Sequence, residues 1–161
     1  MSFFGKISSF ETKSTNIDLV TNADTESENF IIKEIQTTFP EHSILSEEKG
    51  ELLSNSEYIW IIDPLDGTTN FTHNLPIFSV SIGLVKKETG TLCGVVYNPA
   101  AEKCFYAERK KGAYLNESPI KVSSSKTLSE SLLVTGFPYI HNNLYDQSFS
   151  LFKKFYDRSQ G

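Results

Sequence analysis

The chain has 161 residues and a formal net charge of −5, and 39% of its residues are hydrophobic and 12% aromatic. This composition indicates a globular core and excludes a disordered chain, and the length is enough for one domain of ordinary size. The acidic balance argues against nucleic-acid binding, for which a basic stripe is expected, and is typical of a protein whose cleft attracts cations.

The sequence carries no signal for a membrane or for export. No apolar run approaches the ~18 residues of a membrane-spanning helix. The N-terminus lacks a charged region followed by an apolar stretch and a cleavage site, so we expect a cytoplasmic protein without a membrane partner. Cys93 and Cys104 match no cysteine or histidine metal pattern, and we interpret them as reduced thiols in the core.

The first predicted element is a helix that follows Asp24. Its apolar residues recur at helical spacing: Phe30, Ile31, Ile35 and Phe39. Thr25 and Glu28 fit a capping box at its start. Taken alone, Asp24 is best interpreted as an N-terminal cap or as a partner of the helix dipole.

Two adjacent glutamates follow the apolar pair Ile44 and Leu45, which predicts a short strand. Because adjacent side chains of a strand point to opposite faces, only one glutamate can face a given site. We predict that Glu47 points inward, as a metal ligand and as a base that orients water, with Glu48 nearby in support. The alternative is a solvated acidic loop, since such a charge run usually faces water.

The most informative segment is 61–71, Ile-Ile-Asp-Pro-Leu-Asp-Gly-Thr-Thr-Asn-Phe. Residues 58–62 predict a fully buried strand, and Asp-Pro-x-Asp-Gly is a turn pattern that ends it abruptly. Asp63 and Asp66 are hard oxygen ligands on either side of this turn, so both can point at Mg²⁺, with the backbone carbonyl of Leu65 between them. The alternative is a solvated turn between a strand and a helix.

A phosphate site is predicted directly after the two aspartates. Gly67 allows the backbone to come close to a ligand. If a helix begins at Thr68, its free N–H groups form an anion site for a phosphate. Metal, phosphate and a hydroxyl group would then meet at one place in the chain.

The rest of the chain predicts short strands and one further helix. Alternating segments separated by turn signals are typical of an antiparallel meander, and they cover residues 78–85, 92–98, 103–107 and 112–115. A further strand is predicted at 131–135 and a helix at 142–156. That helix carries its apolar residues on one stripe: Leu144, Tyr145, Phe149, Phe152 and Tyr156.

Together, the three acidic elements resemble the inositol monophosphatase family of Mg²⁺-dependent phosphomonoesterases. Asp-Leu-Val-Thr-x-x-Asp at 18–24, the glutamate pair at 47–48 and Trp-Ile-Ile-Asp-Pro-Leu-Asp-Gly-Thr-Thr-Asn-Phe at 60–71 occur in that family's order and approximate spacing. The resemblance implies an α/β fold, a layered α+β sandwich whose antiparallel sheet is flanked by helices. It implies a metal- and phosphate-binding domain at 1–128 and the beginning of a second α/β domain at 129–161.

The resemblance also implies the metal ligands. Glu47, Asp63, Asp66 and the Leu65 carbonyl would hold Mg²⁺, and Leu65 and Asp66 would also lie against the substrate. The metal would activate water for direct in-line attack on phosphorus, without a phosphoenzyme.

The remaining implied roles concern the phosphate and the water. Gly67 and Thr68 would donate backbone amides to the phosphate, and Asp24 would polarise the Thr68 hydroxyl. Glu47, Asp24 and Thr68 are therefore the predicted catalytic residues.

The implied activity is hydrolysis of inositol monophosphate or a similar sugar phosphate, by an enzyme that forms a homodimer at full length. Two alternatives stay open. One is a phosphatase of the same superfamily that acts on a 3′-phosphonucleotide or on fructose 1,6-bisphosphate. The other is an inactive truncated fragment that only binds metal or phosphate.

One departure from the family pattern bears on these alternatives. The family completes its metal site with an aspartate from a Trp-Asp-x-Ala-Ala-Gly segment, and this sequence contains no such segment. Residues 157–161 resemble the stretch just before the family's Arg-Arg-x-Gly-Ser-Ala-Ala element, and residues 1–7 resemble the end of its first helix. We therefore expect a fragment that lacks both flanks of the family's fold.

Overall fold

The structure is a computed structural model that describes residues 3–6, 11–12, 19–137 and 143–161. Its strands are β1 (Glu11–Thr12), β2 (Leu19–Val20), β3 (Ser43–Ser46), β4 (Gly50–Leu52), β5 (Tyr58–Asp66), β6 (Ser79–Lys86), β7 (Gly90–Asn98), β8 (Lys103–Glu108), β9 (Gly112–Leu115) and β10 (Ser118–Ile120). Its helices are α1 (Asn22–Thr38), α2 (Thr68–Thr72) and α3 (Asn143–Tyr156), with a 3-10 turn at Leu128–Glu130. None of these described helices is long and apolar enough to cross a membrane.

One large sheet dominates the fold. Eight strands form it in the order β10-β9-β8-β7-β6-β5-β3-β4, and β1 pairs with β2 separately. Neighbouring strands of the large sheet are antiparallel except β3 and β5, which run parallel. The predicted α/β class is confirmed, with a mixed sheet in place of a purely antiparallel one. The predicted meander is confirmed as β6 to β9, and β10 continues it by a strand that the sequence pattern did not predict.

An apolar cluster joins α1 to the sheet. Ile32 and Ile35 of the helix pack with Ile44 of β3 and Ile62 of β5, and each of the four is at most 8% exposed. Burial of such a side chain contributes about 1.5–3 kcal/mol. The cluster therefore fixes β5 one residue before Asp63.

A second apolar cluster consists of Leu65, within the Asp63–Asp66 segment, and of Phe71 and Phe78 after it. The rings of Phe71 and Phe78 meet edge to face with centroids 4.8 Å apart, and the Phe4 ring lies 5.0 Å from that of Phe78. Such ring pairs contribute about 0.5–1.5 kcal/mol beyond their burial. Apolar anchors thus lie on both sides of the two aspartates in the chain.

The start of α1 differs from the prediction. Its N-cap is Thr21, and the capping box is formed by Thr21 and Asp24, not by Thr25 and Glu28. Asp24 therefore lies in the first turn of the helix and not ahead of it. The reason is that Thr21 supplies a hydroxyl acceptor three residues before an acid, which is the same pattern one turn earlier.

The buried face of α1 begins with polar residues. Asp24, Glu28, Ile32 and Ile35 are buried and lie three or four positions apart, as one helical face requires. Phe30 is 66% exposed, because it lies off that face. The predicted apolar stripe is wrong at this residue.

Two strand predictions also need correction. β5 does not end at Ile62 but continues through the proline to Asp66, and it is only partly buried, since Ile61 is 45% exposed. Residues 131–137 belong to no helix or strand. The Leu-Leu-Val run at 132–134 has strand propensity, but it pairs with no described strand.

The chain divides into two compact units. The larger contains the eight-stranded sheet and ends at Ile120, and the smaller contains Lys121–Gly161. In the smaller unit, α3 confirms the predicted helix from residue 143 onward, and residue 142 lies outside the described residues. The Phe137 ring stacks on that of Phe149 at 4.3 Å. The domain boundary expected between 128 and 129 stays a prediction.

Candidate functional site

Two parallel strands bring Glu47 and Asp63 together. The register pairs Ser46 of β3 with Ile62 of β5, so the next residue of each strand lies at the same edge of the sheet. The Glu47 amide donates to the Ile62 carbonyl at 3.1 Å, which extends the pairing by one step. A hydrogen bond joins the two carboxyl groups. Each strand therefore contributes one carboxyl group to the same place.

A register shift in β5 turns Asp66 to the same face as Asp63. Side chains three positions apart in a regular strand point to opposite faces. Here Asp63 pairs with Ser81 and Asp66 with Ser79, so β5 has one residue more than β6 over this stretch. Such a β-bulge re-aims side chains and is common next to active sites. The bulge, and not an abrupt turn, explains why both aspartates face one side.

Asp63 binds a proton unusually tightly. Burial raises its pKa from the ordinary 3.8 to about 7, with further contributions from the charge of Glu47, the hydrogen bond to Glu47 and the charge of Asp66. The Leu65 amide donates to Asp63 Oδ1 at 3.1 Å and acts in the opposite direction. Because a nearby negative charge raises the pKa of a carboxyl group, Glu47 and Asp66 both lie within electrostatic reach of Asp63. A cation among them would reverse this effect.

Gly67 forms the entry to α2. Its φ of +88° lies in the left-handed region, and a Cβ atom there would lie 3.0 Å from the Ile77 carbonyl oxygen. Both conditions require glycine. The helix then begins at Thr68, where the sequence placed a possible start, and it is five residues long.

The Thr68 hydroxyl lies between two acceptors. Its Oγ1 is 3.0 Å from Asp24 Oδ1 and 3.1 Å from the Leu65 carbonyl oxygen, and its one proton can be donated to only one of them at a time. Asp24 Oδ2 accepts from the Thr21 amide at 2.8 Å and from the Thr21 hydroxyl at 2.6 Å. Asp24 thus caps α1 and also contacts the Thr68 hydroxyl.

Two further residues of α1 reach the segments that carry the acids, and the sequence pattern did not mark them as site residues. Ser27 Oγ donates to the Pro64 carbonyl at 3.0 Å. Glu28 is buried and accepts three hydrogen bonds from the end of β3 and the turn after it. The sequence feature that could have identified them is their spacing of three and four positions from Asp24, which puts all three on the helix face that continues into Ile32.

The donor set fits a hard cation. Glu47 and Asp66 are exposed to solvent and Asp63 is half-buried, and carboxylate and carbonyl oxygens are the ligands that Mg²⁺ prefers. As the side chains of the described residues lie, no three His, Cys, Asp or Glu form a group ready to hold a metal ion. The hydrogen bond between Glu47 and Asp63 requires a proton on one of the two carboxyl groups. Metal binding would have to displace that proton.

Comparison with known proteins assigns the chain to a family. The model of the inositol monophosphatase family matches residues 2–161. The chain belongs to the inositol monophosphatase family. It is 44% identical over 152 residues to an inositol-1-monophosphatase of Synechocystis sp., covering 94% of this chain and 53% of that protein. The chain spans about half the length of the curated relatives it matches.

Solved structures of the family share the fold. The extragenic suppressor protein suhB from Bartonella henselae aligns with a TM-score of 0.89 at 31% identity, over 99% of this chain and 62% of that one. An IMPase/NADP phosphatase complexed with Mg²⁺ and phosphate aligns with a TM-score of 0.80 at 26% identity, over 98% of this chain and 57% of that one. The resemblance and the fold inferred from the sequence are both confirmed.

Proposed function

We propose that this chain provides the metal- and phosphate-binding part of a Mg²⁺-dependent phosphomonoesterase that hydrolyses inositol monophosphate or a similar sugar phosphate. One observation carries the proposal. The parallel register of β3 with β5 and the bulge in β5 bring Glu47, Asp63 and Asp66 to one edge of the sheet. Membership of a phosphatase family supports the reaction class, and a relative complexed with Mg²⁺ and phosphate supports the choice of metal.

In this proposal Glu47, Asp63, Asp66 and the Leu65 carbonyl hold the metal. When bound, Mg²⁺ would stabilise charge on the phosphoryl oxygens and lower the pKa of water from ~15.7 toward neutrality. Glu47 is exposed and directly follows the last residue of β3, so its carboxylate can hold an attacking water in line. Leu65 and Asp66 lie next to the turn that would receive the phosphate.

Asp24 and Thr68 orient the attacking water in the same scheme. When the Thr68 hydroxyl donates its hydrogen bond to Asp24, its oxygen can accept a hydrogen bond from water. It would take a proton from that water only as it passes its own proton to Asp24. Two donors of Thr21 hold the other oxygen of Asp24, so the carboxylate is fixed before a substrate arrives. The amides of Gly67 and Thr68 would donate to the phosphate, because the left-handed turn at Gly67 allows close approach.

Turnover in this proposal requires residues beyond this chain, which spans about half of its curated relatives. We propose that the complete protein is a cytoplasmic homodimer that acts on a small phosphate monoester. The acidic net charge of −5 supports the absence of a nucleic-acid partner.

A second candidate keeps the same ligands and changes the leaving group. A relative named IMPase/NADP phosphatase favours a nucleotide phosphate as the alternative substrate. Fructose 1,6-bisphosphate is the third substrate class to compare, and a chain that only binds metal or phosphate would release no phosphate from any of them.

The test is phosphate release by the complete protein from inositol monophosphate, a 3′-phosphonucleotide and fructose 1,6-bisphosphate, with Mg²⁺ and with EDTA. We expect release that depends on Mg²⁺ and a kcat/KM that is highest for inositol monophosphate. A higher kcat/KM for the nucleotide would select the second candidate. Equal rates in EDTA, or no release from any substrate, would contradict the proposal.

A further inference from the structure

We infer that Glu28 of α1 is a positioning residue, whose buried carboxylate fixes the turn that carries Glu47 and thereby sets the affinity of the site for Mg²⁺. The inference rests on the proposed function, because Glu47 is one of the ligands proposed there. Glu28 itself lies fully inside the protein, with 0% of its surface exposed.

The hydrogen bonds of Glu28 all end at one turn. Its Oε1 accepts from Ser46 Oγ at 2.5 Å, from the Glu48 amide at 3.1 Å and from the Lys49 amide at 2.9 Å. These donors come from the residue just before Glu47 and from the two residues just after it. Glu28 therefore binds the backbone turn on both sides of the proposed ligand.

The backbone of Glu47 is held from a further direction by β5. Its amide donates to the Ile62 carbonyl at 3.1 Å. Neither this contact nor those of Glu28 uses the Glu47 carboxylate, which is left to meet Asp63. A ligand whose backbone is already fixed binds a cation without an ordering cost at the moment of binding.

The burial of an acid at this position needs a reason. A buried carboxylate is costly unless its oxygens are satisfied, and Glu28 Oε2 accepts no hydrogen bond from any described residue. The compensating bonds are therefore concentrated on Oε1. The carboxylate is thus directed at the Glu47 turn and not at the core in general.

The same helix face contacts every segment that carries a proposed site residue. Asp24 lies 3.0 Å from the Thr68 hydroxyl, and Ser27 donates to the Pro64 carbonyl at 3.0 Å. Ser27 and Glu28 come three and four positions after Asp24, so all three point to the same side of a single rigid element. Of the three, Glu28 makes the most hydrogen bonds to its segment.

The test is calorimetric titration of the chain with Mg²⁺, together with circular dichroism and thermal unfolding without metal. We expect Glu28→Ala to weaken Mg²⁺ binding by about 10- to 100-fold in a chain that still folds, as loss of residues behind metal ligands typically does. Glu28→Gln keeps a carbonyl oxygen for the three donors, so it should bind Mg²⁺ nearly as tightly as wild type.

Ser43→Ala is the matched control. Ser43 lies on β3, the strand that leads to Glu47, and is 1% exposed. It accepts a hydrogen bond from the Ser54 amide at 3.0 Å, outside the Glu47 turn. Its loss should lower the unfolding temperature and leave the affinity for Mg²⁺ unchanged. A general loss of stability would therefore not be mistaken for a loss of positioning.

The outcomes separate this inference from the proposed function. Mg²⁺ binding by Glu28→Ala at wild-type strength, or binding by Glu28→Gln as weak as that of Glu28→Ala, would overturn the positioning role and leave the metal site intact. A wild-type chain that binds no Mg²⁺ would overturn both. If Glu28→Ala does not fold, Ser46→Ala decides, because it removes one of the three donors: weakened Mg²⁺ binding supports the inference and unchanged binding overturns it.

Discussion

The two ends of the eight-stranded sheet differ in how they are covered. At the β3–β5 end, α1 covers one side of the sheet, where the largest fully buried side chains include Ile44, Glu28 and Asp24, while Ile61 of β5 is 45% exposed. At the β7–β10 end, Val96 and Phe105 remain 41% and 40% exposed. Every proposed ligand lies at the covered end.

This contrast explains where a site can form. Buried carboxyl groups such as those of Asp24 and Glu28 keep one geometry only where packed neighbours exclude water and hydrogen-bond donors bind at least one of their oxygens. The β3–β5 end provides both conditions beneath α1. The β7–β10 end is a regular antiparallel sheet without buried carboxyl groups among the described residues. The predictions below test this difference, from the largest expected effect to the smallest.

Removing a proposed ligand should give the largest difference in kcat between variants at the two ends of the sheet. Glu47→Gln and Asp66→Asn should each lower kcat of the complete enzyme by more than ~100-fold, because each removes a charged ligand. Both side chains are exposed, so circular dichroism should show an unchanged fold. Glu108→Gln, on exposed β8, is the matched control and should keep its rate. A ligand variant with a near-normal rate would remove that residue from the site.

Removing apolar volume should also affect the ends unequally. Ile44→Ala should lower the free energy of unfolding by about 2–5 kcal/mol, since Ile44 is 1% exposed and its loss leaves a cavity. Val96→Ala, at the half-exposed end, should cost about 1 kcal/mol. Urea denaturation of the isolated chain measures both values. Equal costs would mean that the two ends are equally well packed.

The sequence indicated the place of the site but not the reason for its geometry. The spacing of Asp63 and Asp66 predicted a shared metal through a turn, whereas the structure uses a bulge inside β5. Neither the bulge nor the parallel pairing of β3 with β5 can be inferred from local propensity, because both depend on which strands meet. The family motif predicted the acidic residues of the site because matching a motif does not require knowing which strands pair.

Contacts between distant segments were the hardest to predict. Glu28 and Ser27 belong to a polar stretch that, in sequence, is typical of an exposed first turn of a helix. Their burial follows only once Ile32 and Ile35 define which face of α1 meets the sheet. The strand expected at 131–135 failed for the opposite reason: the local propensity is present and no described partner strand is.

Thr68→Ala tests a role in catalysis without a role in metal binding. It should lower kcat of the complete enzyme by about 100-fold, the lower range for loss of a proton-transfer group. The affinity for Mg²⁺ should stay nearly unchanged, because the carboxylates and the Leu65 carbonyl are intact. Thr72→Ala, at the half-buried last residue of α2, is the control. A large loss of Mg²⁺ affinity in Thr68→Ala would assign the residue to the metal instead.

The smallest expected effect is on stability as a function of pH without metal. The pKa of Asp63 is about 7 in the folded chain against an ordinary 3.8, so the folded state binds the proton more tightly. Its favourable contribution is therefore full below about pH 4 and is lost as the pH rises to about 7. Thermal unfolding should show a decline over this range that is smaller in Asp63→Asn. An equal decline in that variant would contradict the assignment to Asp63.

The most direct test of the central claim is a crystal structure of the chain grown with Mn²⁺, a stand-in for Mg²⁺ whose position anomalous scattering reveals. The account predicts an ion within about 2.5 Å of carboxylate oxygens of Glu47, Asp63 and Asp66 and of the Leu65 carbonyl oxygen. An ion bound elsewhere, with the Glu47–Asp63 hydrogen bond intact, would contradict it.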